Sequence, residues 1–292
     1  MDTRQLVKVS AMLDEAGYHG LMVSDHLVYP KNLTSKYPYS PYEDGRPMWA
    51  PEAAWPDPWV LIGAMSAVTT QLHFNTNIYV APHRPLVQLA KEVSTAAVIS
   101  SDRVALGVGA GWMKEEFDLQ GVDYSTRGKR LNEMIPALRA LWKEGWVEWH
   151  GEYFDVPLCT LEPTPAKSIP IYGGGHTDAA LKRAAQHCDG WIGNAYPWDE
   201  AAHYVGKLKG YLNEYGRSND DFDIICGLYA LPEPDLYKRA EEQLGITGTL
   251  CMPWAMDQNV SKGQMEGLTL AADVYRPSIE QFAVDVLAKV QS

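Results

Sequence analysis

Hydrophobic positions along this chain alternate between a helical period and short apolar runs. Met1–Gly17 puts Leu6, Val9, Met12, Leu13 and Ala16 on one helical face and stops at Gly17. Gly20–Ser24 then reads as a short buried strand. Further on, the pattern predicts helices at Pro58–Thr70, Pro85–Ser100 and Thr126–Glu144, with strands at His73–Val80 and Arg103–Val108 between them. After an aromatic connector, strands are predicted at Ile169–Tyr172, Gly190–Gly193, Asp223–Tyr229 and Thr247–Met252. Helices at Asp178–Cys188, Glu200–Tyr215 and Glu233–Leu244 alternate with them, and Ser278–Val290 closes the chain. Tyr29–Asp57 shows neither period. It is rich in proline and aromatics and longer than an ordinary structureless connection, which favours a lid over a passive link.

Continuously apolar strands between amphipathic helices imply an all-parallel sheet covered by helices. The expected fold is an α/β, TIM (β/α)8 barrel with insertion loops. Such a barrel starts with a strand, whereas this chain starts with a helix. The first strand is therefore expected to be missing from the chain; an incomplete barrel, or one in which another segment fills the gap, is the alternative. No linker divides residues 1–292, so a single domain is expected. In a barrel, chemistry gathers at the C-terminal strand ends. That rule selects Asp25 and His26, Asn77 to Pro82, Gly109 to Trp112, Gly173 to His176, Asn194 to Tyr196 and Met252 to Trp254.

Composition narrows the class. The net charge is −12 and no run of Lys or Arg exceeds two residues, which argues against a nucleic-acid partner. An anionic ligand would need a local positive field, from helix N-termini or a few arginines. Cys159, Cys188, Cys226 and Cys251 are widely spaced, as expected of reduced thiols in a cytoplasmic protein. The start is polar and periodic, unlike a signal peptide, and no apolar run approaches the ~20 residues that cross a bilayer. Ten Trp and sixteen Tyr stand against five Phe. That bias suits either a pocket for a planar ligand or a core that uses Trp.

Three segments carry candidate chemistry. Ser24-Asp25-His26 ends a strand, and its histidine suits proton transfer with Asp25 as orienter; a His–Asp pair capping the loop is the plainer reading. Gly107-Val108-Gly109-Ala110-Gly111 lacks dinucleotide-fingerprint spacing, since the third glycine position is Trp112. Its glycines would let backbone approach a flat ligand closely. Gly173-Gly174-Gly175-His176-Thr177-Asp178 joins a strand to a helix, either as an anion site or as a tight turn of small residues. Neither a zinc pattern nor a G-x-S-x-G elbow is present, so no metal is expected.

Taken in series, these segments resemble the luciferase-like monooxygenase superfamily, and within it the coenzyme F420-dependent oxidoreductases. The resemblance rests on VSDH, the run from DPWVLIG to LQGVDY, STRGKRLNEMIPALRALW and IPIYGGGHTDAALKRAAQHCDGW. It covers Leu6 to Tyr196 well and the last third loosely. It implies an insertion-bearing α/β barrel, a homodimer, and FMN or F420 at the C-terminal mouth. By the same resemblance His26 lies beside the ring system, and Asn77-Ile78 is a non-proline cis peptide behind it. Gly109 and Gly111 border the ring or its side chain, and Gly173, Gly174 and Gly175 bind phosphate. Trp112 and Pro30 stand where sugar-phosphate-oxidising members carry Glu and Trp, which argues against that substrate.

The resemblance implies hydride transfer between F420 and a small, mostly apolar organic substrate. His26 would be the proton-transfer group, and Trp49, Trp112, Tyr196 and Trp254 the pocket walls, with Trp55 also in the lid; plain packing is the alternative for Trp112, Tyr196 and Trp254. The alternatives are an FMN-dependent monooxygenase and a non-catalytic flavin-binding relative.

Overall fold

The computed structural model describes residues 3–265 and 270–290; Met1 and Asp2 of the first expected helix lie outside them. In chain order the elements are α1 (Thr3–Glu15), β1 (Gly20–Val23), α2 (Pro58–Ser66), β2 (His73–Thr76), α3 (Leu86–Ile99) and β3 (Val104–Val108). Next come α4 (Lys114–Leu119), α5 (Arg127–Leu141), β4 (Val147–His150), β5 (Asp155–Cys159), β6 (Ile171–Gly174) and α6 (Asp178–His187). The last are β7 (Gly190–Tyr196), α7 (Trp198–Glu214), β8 (Asp223–Leu228), α8 (Pro234–Leu244), α9 (Gln258–Met265) and α10 (Arg276–Phe282).

Six strands form one parallel sheet in the order β1-β2-β3-β6-β7-β8, with helices in the crossovers. This is the strand–helix alternation of an α/β barrel, curled and open on one side among the described residues. Helix-facing Val104, Leu106, Ile171, Ile224 and Cys226 are buried, whereas the alternate residues Ala105, Tyr172 and Ile225 are only half-buried. The principal core therefore lies between sheet and helices. Across the open side, α1 meets α10: the Tyr18 hydroxyl donates to the Ile279 carbonyl at 3.0 Å, and its ring stacks on Phe282.

Local chemistry explains several boundaries. Asp57 caps α2 by accepting from Trp59 N and Val60 N, and Pro58 occupies the first turn. The helix ends at Ser66, short of the expected Thr70, because the Arg103 guanidinium takes the Ser66, Thr69 and Leu72 carbonyls. The expected strand Thr247–Met252 is reduced to a single bridge between Gly248 and Ile225. A few backbone bonds join Thr247, Gly248 and Leu250 to Ile224 and Cys226, the Thr247 and Thr249 hydroxyls bond to the same two carbonyls, and Pro253 ends the run.

Elements absent from the sequence reading are α4, α9 and the β4–β5 hairpin. The hairpin sits in the aromatic connector and is pinned by Glu133 of α5, whose carboxylate accepts from the N–H groups of Glu152, Tyr153 and Phe154.

Candidate active site

The C-terminal strand ends place Asp25 and His26 beside each other in sequence but in different environments. Asp25 is buried and committed to Arg84, whose Nη2 donates to both carboxylate oxygens at 2.8 and 3.1 Å. Val80 N donates to it as well, at 3.0 Å. Arg84 also donates to the Tyr79 hydroxyl. Burial pushes the Asp25 carboxyl up, and the Arg84 charge with the Val80 N–H offsets this only in part. The expected Asp25–His26 orienting pair is thus not formed, because both Asp25 oxygens are already occupied.

Glu116 takes that role. Its Oε1 and Oε2 lie 3.2 and 3.3 Å from His26 Nδ1, and Oε1 also accepts from Leu27 N at 2.6 Å. The Glu116 side chain is 1% exposed. Burial works against its charge, but the hydrogen bonds from His26 and Leu27 outweigh burial and hold its pKa below the ordinary carboxylate range. With Nδ1 engaged, Nε2 is the nitrogen left to face a ligand. The hydrogen bonds of the His26 ring run through Nδ1.

Aromatic rings surround the His26 ring. Trp55, Trp49 and Trp112 lie 4.8, 5.3 and 5.6 Å from the His26 ring by centroid. Tyr37 contacts Trp49 and Trp112, and Tyr39 meets His176 at 5.2 Å. His176 in turn packs on Tyr204 and Tyr196. These rings form a belt from the end of β1 across the mouth to the ends of β6 and β7. The Tyr29–Asp57 segment supplies its middle and lies folded over the mouth. Glu115 secures it by accepting from Thr34 N, Thr34 Oγ1 and Ser35 N, and Lys114 N donates to Ser35 Oγ.

Trp254 is not part of this belt. Its ring packs edge-on against Tyr275, 5.0 Å away, beside the helix-side core, so it is no pocket wall here.

The Asn77–Ile78 peptide is cis. The Ile78 side chain fills the space beside Gly109 and Gly174, where a Cβ on either glycine would run into its Cδ1. Gly173 makes room for α6: a Cβ there would stand 2.8 Å from the Ala184 Cβ. Gly111 has φ +86°, and its carbonyl accepts from Arg127 Nε. Gly175 has φ +101°, and its carbonyl accepts from Trp191 Nε1. Each glycine in these turns therefore has a packing or backbone reason of its own. At α6, Thr177 Oγ1 accepts from Ala180 N, so the earlier first-turn N–H groups of Asp178 and Ala179 can donate outward. Lys207 pairs with the Asp178 carboxylate there.

Arg84, Glu115, Glu116 and Tyr37 were not singled out from the sequence. The available signal was the adjacent acid pair Glu115-Glu116 in the first turn of a short helix, ordinarily a complement to the helix dipole. Among the described residues no group of three or more His, Cys, Asp or Glu side chains could hold a metal ion, and no helix is long and apolar enough to cross a membrane.

Comparison with known proteins agrees with this architecture. An uncharacterized protein of Mycobacterium tuberculosis is 34% identical over 288 residues, covering 97% of this chain and 95% of its own. The F420-dependent glucose-6-phosphate dehydrogenase of Microbacterium testaceum is 28% identical over 237 residues, 79% of this chain and 65% of that protein. A solved F420-dependent secondary alcohol dehydrogenase, in complex with an F420-acetone adduct, superimposes with a TM-score of 0.70 at 15% identity, covering 100% of this chain and 96% of the other. The luciferase-like monooxygenase family matches residues 1–267, and the chain belongs to that family.

Proposed function

We propose that the chain is an F420-dependent oxidoreductase that transfers a hydride to or from a small, mostly apolar organic substrate. The observation that carries this reading is the His26–Glu116 pair at the mouth of the barrel, with Trp49, Trp55 and Trp112 packed around the histidine ring. The residues present fit a planar, tailed cofactor. Ile78 offers an apolar face, the unpartnered Trp55 Nε1 offers a polar contact, and the Gly173–Gly175 turn with the outward N–H groups of α6 offers an anion seat.

When bound, the deazaflavin would supply or accept the hydride; the protein supplies orientation and a proton path. His26 Nε2 gives or takes the proton, Glu116 fixes the ring, and the aromatic belt excludes water. The F420-dependent relative supports this cofactor, and FMN is the alternative under the monooxygenase reading of the family.

The same reading includes a homodimer and a cytoplasmic location. Val60 of α2 is 76% exposed, and Val87, Val98 and Ile99 of α3 are exposed too, which favours a second copy as their cover. Four unpaired cysteines fit a reducing compartment.

Titration of the purified protein with F420 and with FMN, followed by fluorescence, tests the cofactor. Micromolar or tighter F420 binding with none for FMN is expected. The reverse preference would transfer the assignment to the monooxygenase, and binding of neither would remove it.

A further inference from the structure

A cleft of about 680 Å³ opens at the end of the barrel away from the mouth. One wall is the C-terminal end of α5, and the other is the connector that leads into the start of β6. Arg139, Lys143 and Lys167 line it against the carboxylates of Glu144 and Glu162. It therefore carries a small positive charge in a chain whose net charge is −12. Trp142 and Ile169 add apolar wall. Clefts of this volume are of the size that holds small organic ligands.

The charged groups differ in what they already do. Arg139 Nη2 donates to Asp189 Oδ2 at 2.7 Å and to the His187 carbonyl. Glu162 Oε2 accepts from Thr164 N and Thr164 Oγ1. Lys143 and Lys167, one from each wall, have no hydrogen bond or ion pair among the described residues. Lys143 follows α5 and also complements the dipole at that helix end, but Lys167 ends no helix and has no such reason. The walls themselves are held: Trp142 Nε1 donates to the Ala90 carbonyl at 3.0 Å, and Lys91 of α3 donates to the Glu162 carbonyl. Burial, with the charges of Arg183, Arg217 and Arg139, lowers the pKa of His187 beside the cleft, in keeping with a positive field there.

We propose that this cleft is a second ligand site, for a small organic monocarboxylate whose charged end is held by Lys143 and Lys167 and whose apolar part lies against Trp142. Three cations facing two carboxylates match one negative charge better than the two of a phosphate ester. The site lies apart from His26 and the aromatic belt, and it does not depend on the oxidoreductase reading.

The test titrates the full chain at constant ionic strength with benzoate, with neutral benzamide of nearly the same shape, and with phenyl phosphate. Nitrogen–proton correlation spectra follow the backbone amides of Ala166, Lys167 and Ser168 and the indole N–H of Trp142. Benzoate is expected to move these signals and to bind at least ten-fold more tightly than benzamide. Lys143→Met and Lys167→Met keep the alkyl stem and remove the charge; each is expected to weaken benzoate about five- to ten-fold. Lys8→Met, at an exposed lysine of α1, should stay within two-fold of wild type. Unmoved cleft signals, shifts confined to Gly173–Gly175 at the mouth, or equal affinity for benzamide would each overturn the site. So would tighter binding of phenyl phosphate than of benzoate, unchanged benzoate affinity in either cleft variant, or an equal loss in Lys8→Met. Loss of F420 and FMN binding would leave every one of these readouts in place, so failure of the oxidoreductase reading is distinguishable from failure of the cleft.

Discussion

His26 Nδ1 lies 3.2 Å from Glu116 Oε1, a carboxylate oxygen that also accepts the Leu27 N–H, so one buried group fixes both the ring and the backbone behind it. That geometry separates the roles of the two residues. His26→Ala removes the proton-transfer group and is expected to lower kcat by roughly 10²–10⁴, with cofactor affinity within about three-fold of wild type. Glu116→Gln keeps an acceptor for Leu27 but loses the charge facing His26. A smaller fall in kcat, about ten-fold, should accompany a nearly unchanged KM. Steady-state kinetics with F420 check both, and wild-type turnover by His26→Ala would exclude His26 from proton transfer.

Much of this architecture was legible in the chain because it is periodic. Leu6, Val9, Met12 and Leu13 declare α1, and the apolar run at Arg103–Val108 declares β3, without reference to distant residues. The site was legible only where a strand end carried a polar residue, as at His26. The partner of His26 could not be read, because Glu116 is 90 positions away and α4 is only six residues long. Adjacency in sequence suggested Asp25 instead, yet successive residues leaving a strand point in different directions, and Asp25 turns to Arg84. Trp254 was misplaced for a related reason. Its strand never forms, so its expected position at the mouth does not follow.

Glu115 clamps the covering segment through Thr34 and Ser35. Burial alone would raise its carboxyl, but the hydrogen bonds from Thr34 and Ser35 win and lower it to about 2. A depressed carboxylate contributes stability above its unfolded value of 4.5, lost as pH falls towards 2. Glu115→Ala should therefore speed amide hydrogen exchange at Thr34 and Ser35 while exchange in β3 and β6 stays slow. The expected cost to global stability is about 1–2 kcal/mol. Unchanged exchange at those two residues would mean that the clamp contributes nothing.

His83 gives the fold a separate sensitivity at milder acidity. Its ring is buried edge-on to Phe117, and both nitrogens lack partners. Burial, aided by the Arg84 charge, lowers its pKa from 6.5 to about 4. The unfolded chain then binds the proton first, so stability is complete above about pH 6.5 and declines as pH falls towards 4. The span corresponds to roughly 3 kcal/mol. His73 and His187 are lowered by burial too and act in the same direction, so a comparison isolates the effect. Urea midpoints for wild type and His83→Phe between pH 7 and 4.5 should converge in acid, with the variant showing the flatter dependence. Parallel curves would assign the slope to the other histidines.

Ile78 and Gly109 make a complementary pair whose fit can be tested without any ligand. A Cβ at position 109 would collide with Ile78 Cδ1, the far end of that side chain, and approach Cγ1 to 3.2 Å. Gly109→Ala is thus an overpacking change, expected to cost about 1–3 kcal/mol. Ile78→Val removes the colliding carbon and alone should cost about 0.5–1.5 kcal/mol through the small void it leaves. The double variant is expected to be more stable than the sum of the two losses predicts by roughly 1 kcal/mol, because the added methyl occupies the vacated space. Gly174→Ala should be rescued less well by the same valine, since Ile78 Cγ2 also stands 2.8 Å from the Cβ there and survives the substitution. Additive losses in the Gly109 cycle would show that Ile78 can swing aside, and that the glycine is required for some reason other than this contact.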